Sequence, residues 1–487
     1  MNLLDLPDEL LDLCCSSGVQ VAQTLRLTCR RISPIAAKRL FSNVHLLPTT
    51  TSAKKARAIL EDDKLNAVVK TISIRASLRV NQRSEQIEQL TWDIHDKDDP
   101  EWAEGDQHGV DIDGEPSTTF KVMLEDIGLF KNLRRVELIH DSDVSGPSNE
   151  DLAPANHHEW TDYRETFFTK LLAALNHPEH PANKVHSLSI VHLQDLVNAD
   201  IATSSNFKAV LSRLDSLDLC VATEAYDPAP ETEISISERH EFFTYDLIKY
   251  WLKPLQSQLV HLKIYCDTYW GYVPYCPLQT LHFPRLQSLS LGNMTFTHDS
   301  QLHWILSHSA TLRSLSLDDC PIIQTSKLGF LHSENHHPIL NVCNTLTETE
   351  DQTTRHYPTR WHTYFDAFRT GAPHLTHFAF GHGLWWPTNG NSEVASAFWA
   401  APELPAKLPP GRYMLFMYGS GPSPWVRTEL EGSVEWGRID GEDCGRAYED
   451  DWDEEFDGPC PVYPDCWGED DKALRELMRA VRGRIGG

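Results

Sequence analysis

Acidic side chains are the densest source of chemistry in this chain, and their tightest run is Glu449, Asp450, Asp451, Asp453, Glu454, Glu455 and Asp457. Such a run could hold a divalent cation or meet a basic partner. A calcium loop needs oxygen ligands at fixed alternating positions and a glycine at its sharp turn. The run has neither, so it reads as a solvated or partner-facing loop. Cys444, Cys460 and Cys466 flank it. Structural zinc recruits ligand pairs two to four residues apart, and these cysteines lack a C-x-x-C or H-x-x-x-H companion, so they read as isolated thiols. The pairs His157-His158 and His336-His337 sit among Asn and Pro residues and read as surface histidines in loops. The chain carries no G-x-S-x-G elbow, no phosphate-cradling G-x-x-x-x-G-K-[ST], no H-E-x-x-H and no glycine fingerprint of a dinucleotide site. The expectation is a non-catalytic protein without metal or cofactor.

Binding chemistry then depends on the elements that present it, and these begin near residue 6. Leu6, Leu10, Leu13 and Cys14 fall on one helical face, Pro7 suits the first helical position, and Asp8 and Glu9 suit the positive end of the helix dipole. In a second helix Val21, Leu25, Cys29 and Ile32 share a stripe, opposite Arg26, Arg30 and Arg31. Ser33 reads as the cap of a third, with Pro34 behind it and Leu40 and Phe41 on its apolar face. A bundle this small buries little core, so a partner or the following domain is expected to complete it.

These residues resemble a known family. Leu6-Pro7-Asp8-Glu9-Leu10-Leu11, then Leu25-Arg26-Leu27-Thr28-Cys29-Arg30-Arg31, and finally Leu40-Phe41-Ser42-Asn43-Val44 are similar to an F-box. F-box proteins use this bundle to bind a Skp-family adaptor, which joins them to a cullin and a RING subunit in a ubiquitin ligase, while the rest of the chain captures substrate. The resemblance implies an adaptor-facing and core set of Leu6, Pro7, Leu10, Leu25, Leu27 and Cys29. The stretch Cys14-Cys15-Ser16-Ser17-Gly18-Val19-Gln20 departs from the longer apolar run and acidic residue usual there.

A second pattern, Leu-x-x-Leu-x-Leu or close substitutes, is the mark of one short strand per turn of a leucine-rich repeat. It recurs at Val69-Ile72-Ile74, Leu133-Val136-Leu138, Val185-Leu188-Ile190, Leu214-Leu217-Leu219, Leu259-Leu262-Ile264, Leu286-Leu289-Leu291, Leu312-Leu315-Leu317 and Leu375-Phe378-Phe380. The steps from Leu262 to Leu289 to Leu315 are 27 and 26 residues, inside the range of such repeats. Helical spacing around Leu302, Ile305 and Leu306 lets strand and helix alternate, and Phe167, Phe168, Leu171, Leu172 and Leu175 predict a helix over 161–175. Past Phe380 the composition turns to Trp, Gly and Pro, as in Trp385-Trp386-Pro387 and Gly419-Ser420-Gly421-Pro422, which suits a terminal cap on a solenoid. Leu474, Leu477, Met478 and Val481 predict a closing amphipathic helix with Arg475, Arg479 and Arg482 outside, pairing with the acidic run. Arg360-Trp361-x-x-Tyr364-Phe365-x-Ala367-Phe368-x-x-Gly371, followed by Pro373-His374-Leu375, also resembles the C-terminal part of F-box proteins of filamentous fungi.

The expected fold class is α/β: an F-box-like three-helix bundle at 1–46, a linker helix within 47–66, an irregular leucine-rich-repeat solenoid at 67–385, and a Trp-rich cap at 386–487 with an acidic loop and terminal helix. An acidic insert at about 92–117 reads as a solvated loop. Outward positions of the strands form a small, polar row including Arg135, Glu137, Ser187, Ser189, Ser216, Asp218, His261, Lys263, Ser288, Ser290, Ser314 and Ser316. Of these, Lys263, Ser288, Ser290, Ser314 and Ser316 are the candidate substrate-binding residues, since hydroxyls offer donors and acceptors and small side chains let a peptide approach. A formal net charge of −27 argues against nucleic acid or an anionic membrane as the main partner. With 11 scattered cysteines, no basic leader and no membrane-length apolar run, the expected location is intracellular, in cytoplasm or nucleus. The sequence thus points to a substrate-recognition adaptor of a ubiquitin ligase with an unidentified protein substrate. The alternative is a non-degradative interaction scaffold using the same repeat surface.

Overall fold

Three runs with helical apolar spacing form α1 (Asp8–Cys15), α2 (Val19–Thr28) and α3 (Ile32–Phe41) in a computed structural model of the chain. The structure describes residues 6–15, 18–76, 117–140, 161–180, 184–223, 237–327, 347–348, 354–382, 404, 408–417, 425–428, 434–436 and 464–485. The acidic run at 449–457, nearly all of the 92–117 insert, Trp385-Trp386-Pro387, Gly419–Pro422, Cys444, Cys460 and both histidine pairs lie outside them. Two compact units divide the chain, one of residues 1–192 and 198–217, the other of 193–197 and 218–487.

In the first unit the bundle core is Leu11 and Cys15 of α1, Ala22 of α2, and Ile32, Ala36 and Leu40 of α3, edged by Leu6, Leu25, Cys29, Ile35 and Phe41. The stripes read from spacing are met in part: Leu6, Leu25, Cys29 and Ile32 join or edge the core, whereas Leu10 and Leu13 are 45% and 65% exposed and Val21 is 42% exposed. Helix α1 is apolar around much of its girth, so period alone does not choose the buried side. Ser33 caps nothing. It lies inside the first turn of α3, whose N-cap is Arg31 with no side-chain cap bond. Arg31 instead holds α1, donating to Leu6 O at 2.8 Å and to Asp8 Oδ1 at 3.2 Å. Arg39 grips Asp12 with Nε at 2.9 Å and Nη2 at 2.6 Å and holds its carboxyl below the usual range.

Chain leaving α3 goes straight into a sheet: β1 (Asn43–Leu46) pairs in parallel with β2 (Thr71–Arg75) across α4 (Thr50–Glu61) and α5 (Asp63–Asn66). Helix α4, the expected linker helix within 47–66, starts at Thr50, because Thr49 Oγ1 accepts from Ser52 N at 3.2 Å. Next come α6 (Thr118–Asp126), β3 (Arg135–Ile139), α7 (Thr161–Leu175), β4 (Ser187–Gln194), α8 (Ala199–Thr203), α9 (Ser205–Leu211) and β5 (Ser216–Ala222). The parallel register of β1 to β4 aligns Val44, Ile72, Val136 and Leu188, then Leu46, Ile74, Leu138 and Ile190.

The second unit repeats the scheme. It holds α10 (Ser237–Glu241) running into a π-helical stretch (Phe242–Leu252), β6 (His261–Cys266), β7 (Ser288–Gly292), α11 (Asp299–Ser307), β8 (Ser314–Asp318), β9 (Ile322–Lys327), β10 (Thr347–Glu348), β11 (Thr354–His356), α12 (Trp361–Gly371), β12 (His377–Gly381), β13 (Tyr413–Met417), β14 (Trp425–Thr428), β15 (Val434–Trp436) and α13 (Trp467–Ile485). Strands β6, β7, β8 and β12 are parallel, aligning Leu262, Leu289, Leu315 and Phe378, then Ile264, Leu291, Leu317 and Phe380. The spacing did not announce a second sheet, of order β10-β11-β9-β13-β14-β15, in which only β9 and β13 run parallel. Helix α13 packs on α12, burying Leu474, Leu477 and Val481.

The chain is thus mixed α/β, with thirteen α-helices and a large parallel sheet among the described residues and no closed barrel. Each of the eight apolar triplets falls on one of these parallel strands and the turn before it, and every member is at most 3% exposed. Two residues beyond three of the triplets, His192, Asn293 and Asp319 take φ of 58°, 56° and 47°; the last two come directly after β7 and β8, whereas His192 lies within β4.

Candidate docking surfaces

Two surfaces carry the residues singled out for binding. On the bundle, Leu6, Leu25 and Cys29 are half-buried against the core, while Pro7, Leu10 and Leu27 face solvent, Leu27 at 87% exposure. The large apolar side chains strongly exposed among the described residues are Leu10, Leu13, Val21, Leu27, Val122 and Tyr245. Four of them therefore lie between residues 10 and 27. Solvent-exposed Leu on an otherwise packed bundle marks an interaction surface more readily than a core.

On the sheet of the second unit, parallel register brings the predicted residues together. One row runs His261, Ser288, Ser314, His377, and the next runs Lys263, Ser290, Ser316, Ala379. Ser288, Ser290, Ser314 and Lys263 are half-buried, Ser316 is buried, and His261 and His377 are exposed. His377 occupies the same place in Leu375-Thr376-His377-Phe378 that Ser314 holds in its own repeat.

Toward the strand ends the face closes. Tyr265 lies across Gly292, where an added Cβ would sit 2.3 Å from the ring, and its hydroxyl reaches Asp318 Oδ2 at 3.4 Å. Burial, with the Asp318 charge, pushes the Tyr265 phenol well up, so it stays a neutral donor. Lys263 Nζ sits 5.0 Å from the centre of the same ring, a cation–π geometry.

A third cluster is structural. Asp470 of α13 is fully buried and accepts from His362 N at 2.9 Å, His362 Nδ1 at 3.0 Å, Arg412 Nε at 2.9 Å, Tyr413 OH at 2.9 Å and Cys466 Sγ at 3.4 Å. Cys466, read as an isolated thiol, thus belongs to a network. Ligand atoms of His362, Cys466 and Asp470 lie within 4.8 Å of one another. The Arg412 guanidinium already neutralises that carboxylate, so the arrangement suits the seating of α13 rather than a cation.

Among the described residues the cysteines are free thiols, and no helix is long and apolar enough to cross a membrane. No protein-family model matches the chain, and no curated protein matches it.

Proposed function

We propose that this chain is the non-catalytic substrate-recognition subunit of a Skp, cullin and F-box type ubiquitin ligase, similar to those of filamentous fungi. In this reading α1 to α3 are the F-box, the strand-and-crossover repeats are an irregular leucine-rich-repeat solenoid, and the chain works inside the cell. The observation that carries it is the division of the bundle's apolar residues. Leu6, Leu25 and Cys29 support the core, whereas Leu10 and Leu27, two members of the adaptor-facing set, stand in solvent. The eight buried triplets in their strands support the repeat half. Such a subunit needs no active-site residues, because it accelerates transfer by holding substrate near a charged conjugating enzyme.

Co-purification with a Skp-family adaptor tests it, comparing wild type with a Leu10→Ala, Leu27→Ala variant of unchanged melting temperature. Stoichiometric capture, lost in the variant and accompanied by a cullin, is the expected result. A folded wild type that captures no adaptor sinks the proposal, and capture without a cullin leaves the scaffold alternative.

A further inference from the structure

We infer that the solvent face of α13 docks an extended acidic segment of a partner protein along a basic ridge. Neither the bundle nor the repeat strands contribute to this surface, which is independent of the ligase reading. Successive residues of a helix turn by about 100°, which sets Lys472, Arg475, Arg479 and Arg482 within an arc of roughly 80°. All four are exposed. The opposite side of the helix, carrying Ala473, Leu474, Leu477 and Val481, is buried. Packing of that side on α12 fixes where the ridge points.

The other charges around the helix are engaged. Asp471 pairs with Arg475, Glu476 faces Arg369 Nε at 3.9 Å, Glu469 faces His362 Nδ1 at 3.7 Å, and Asp366 of α12 holds Arg369 Nη2 at 2.9 Å. Arg484 donates to the carbonyls of Arg369, Ala372 and Leu375. Lys472, Arg479 and Arg482 make no ion pair among the described residues, and residues 477–487 hold no acid. Attraction to the helix dipole falls off within the last turn. It accounts for a cation at Arg482 and not for those at Lys472, Arg475 and Arg479.

Spacing identifies the occupant. Ten residues of helix put Lys472 and Arg482 about 15 Å apart. An extended chain sends every second side chain to one side, about 6.7 Å apart, so three alternate carboxylates cover about 13 Å. Arginine suits them, because its guanidinium fork meets a carboxylate with two N–H donors. A duplex or a membrane presents a broad anionic surface, which would bring Glu469, Asp471 and Glu476 beside the ridge against further negative charge. A single extended strand meets mainly the ridge. The formal net charge of −27 adds to the rejection of broad polyanions.

Fluorescence anisotropy of the full chain tests this with labelled twelve-residue peptides of alternating Glu and Ser or alternating Gln and Ser, and with a labelled twelve-nucleotide oligothymidylate. The Glu peptide should bind at least about tenfold more tightly than the Gln peptide, weaken at high salt, and lose about tenfold in Arg479→Glu, Arg482→Glu. Arg479→Gln, Arg482→Gln carries the comparison should charge reversal disturb folding. Lys253→Glu, at an exposed site on another element, should change nothing. Equal binding of the two peptides, binding unchanged in both arginine variants, an equal loss in Lys253→Glu, or oligonucleotide binding as tight as that of the Glu peptide overturns the inference. So does a Glu peptide that binds only after Asp450→Asn, Asp451→Asn, Asp453→Asn, for then the chain's own acidic run holds the ridge. Concentration-dependent dimerisation lost in the arginine variants overturns it as well, making a second copy the occupant.

Discussion

Three helices of the bundle leave Leu10, Leu13 and Leu27 in water, whereas the apolar triplets of β6, β7, β8 and β12 are nowhere more than 3% exposed. The bundle core contains two alanines among its six buried members. The sheet core stacks Leu on Leu on Leu on Phe through consecutive strands. The difference follows from geometry. Short helices with apolar residues on more than one side cannot bury them all against two neighbours, and what is left over stays in solvent. Strands alternate sides every residue, so the ladder sends all its apolar residues one way and all its polar ones the other. One region exposes apolar area, the other hydroxyls and imidazoles.

Substitutions can break that contrast. The largest effect is expected from Leu291→Ala in the ladder, about 2–5 kcal/mol of unfolding free energy by denaturant titration, because close-packed neighbours cannot collapse into the gap. Asp470→Ala strands the buried Arg412 and should cost about 3–5 kcal/mol, read as early proteolysis of α13. Lowering pH should weaken the second unit before the bundle. Burial pushes His308 and His298 down to about 4, and His308 Nε2 accepts from Phe283 N at 3.1 Å, a bond that protonation removes. Unfolded imidazoles titrate near 6.5, so between that pH and about 4 the unfolded chain binds more protons and stability falls with pH, by up to a few kcal/mol per group. A melting temperature flat from pH 7 to 4.5 would contradict this.

Smaller changes sharpen it. Gly292→Ala drives a methyl into the Tyr265 ring and should cost about 1–3 kcal/mol, with most of that recovered in a Tyr265→Ala background. Leu27→Ala should alter stability by less than about 0.5 kcal/mol while reducing adaptor capture; a large loss of stability would mean that Leu27 is core.

Much of the ladder was legible in the residues. The triplets located eight parallel strands, and the stripe of Phe167 to Leu175 located α7 to the residue, because a period of two and a period of 3.6 are local properties. Lys263 and the serines met across strands as expected, since equal spacing in each repeat puts equal positions in register. The buried side of α1 was not legible, nor was Ser33 inside α3 or the sheet built on β9. Partners of β9 lie in β11 and β13, at separations no local pattern encodes.

Amino-acid order alone determined that strands would alternate with helices, that their apolar triplets would share a core, and that a small polar row would face outward, since each depends on neighbours a few residues away. Tertiary structure alone decided which leucines of the bundle stay in water and that Asp470 meets Arg412, Tyr413 and His362. It also set Tyr265 on Asp318 and Tyr269 on Asp319. Those outcomes depend on which of several competing faces and distant groups the packed chain brings within hydrogen-bonding distance, a choice made by burial and charge pairing between elements.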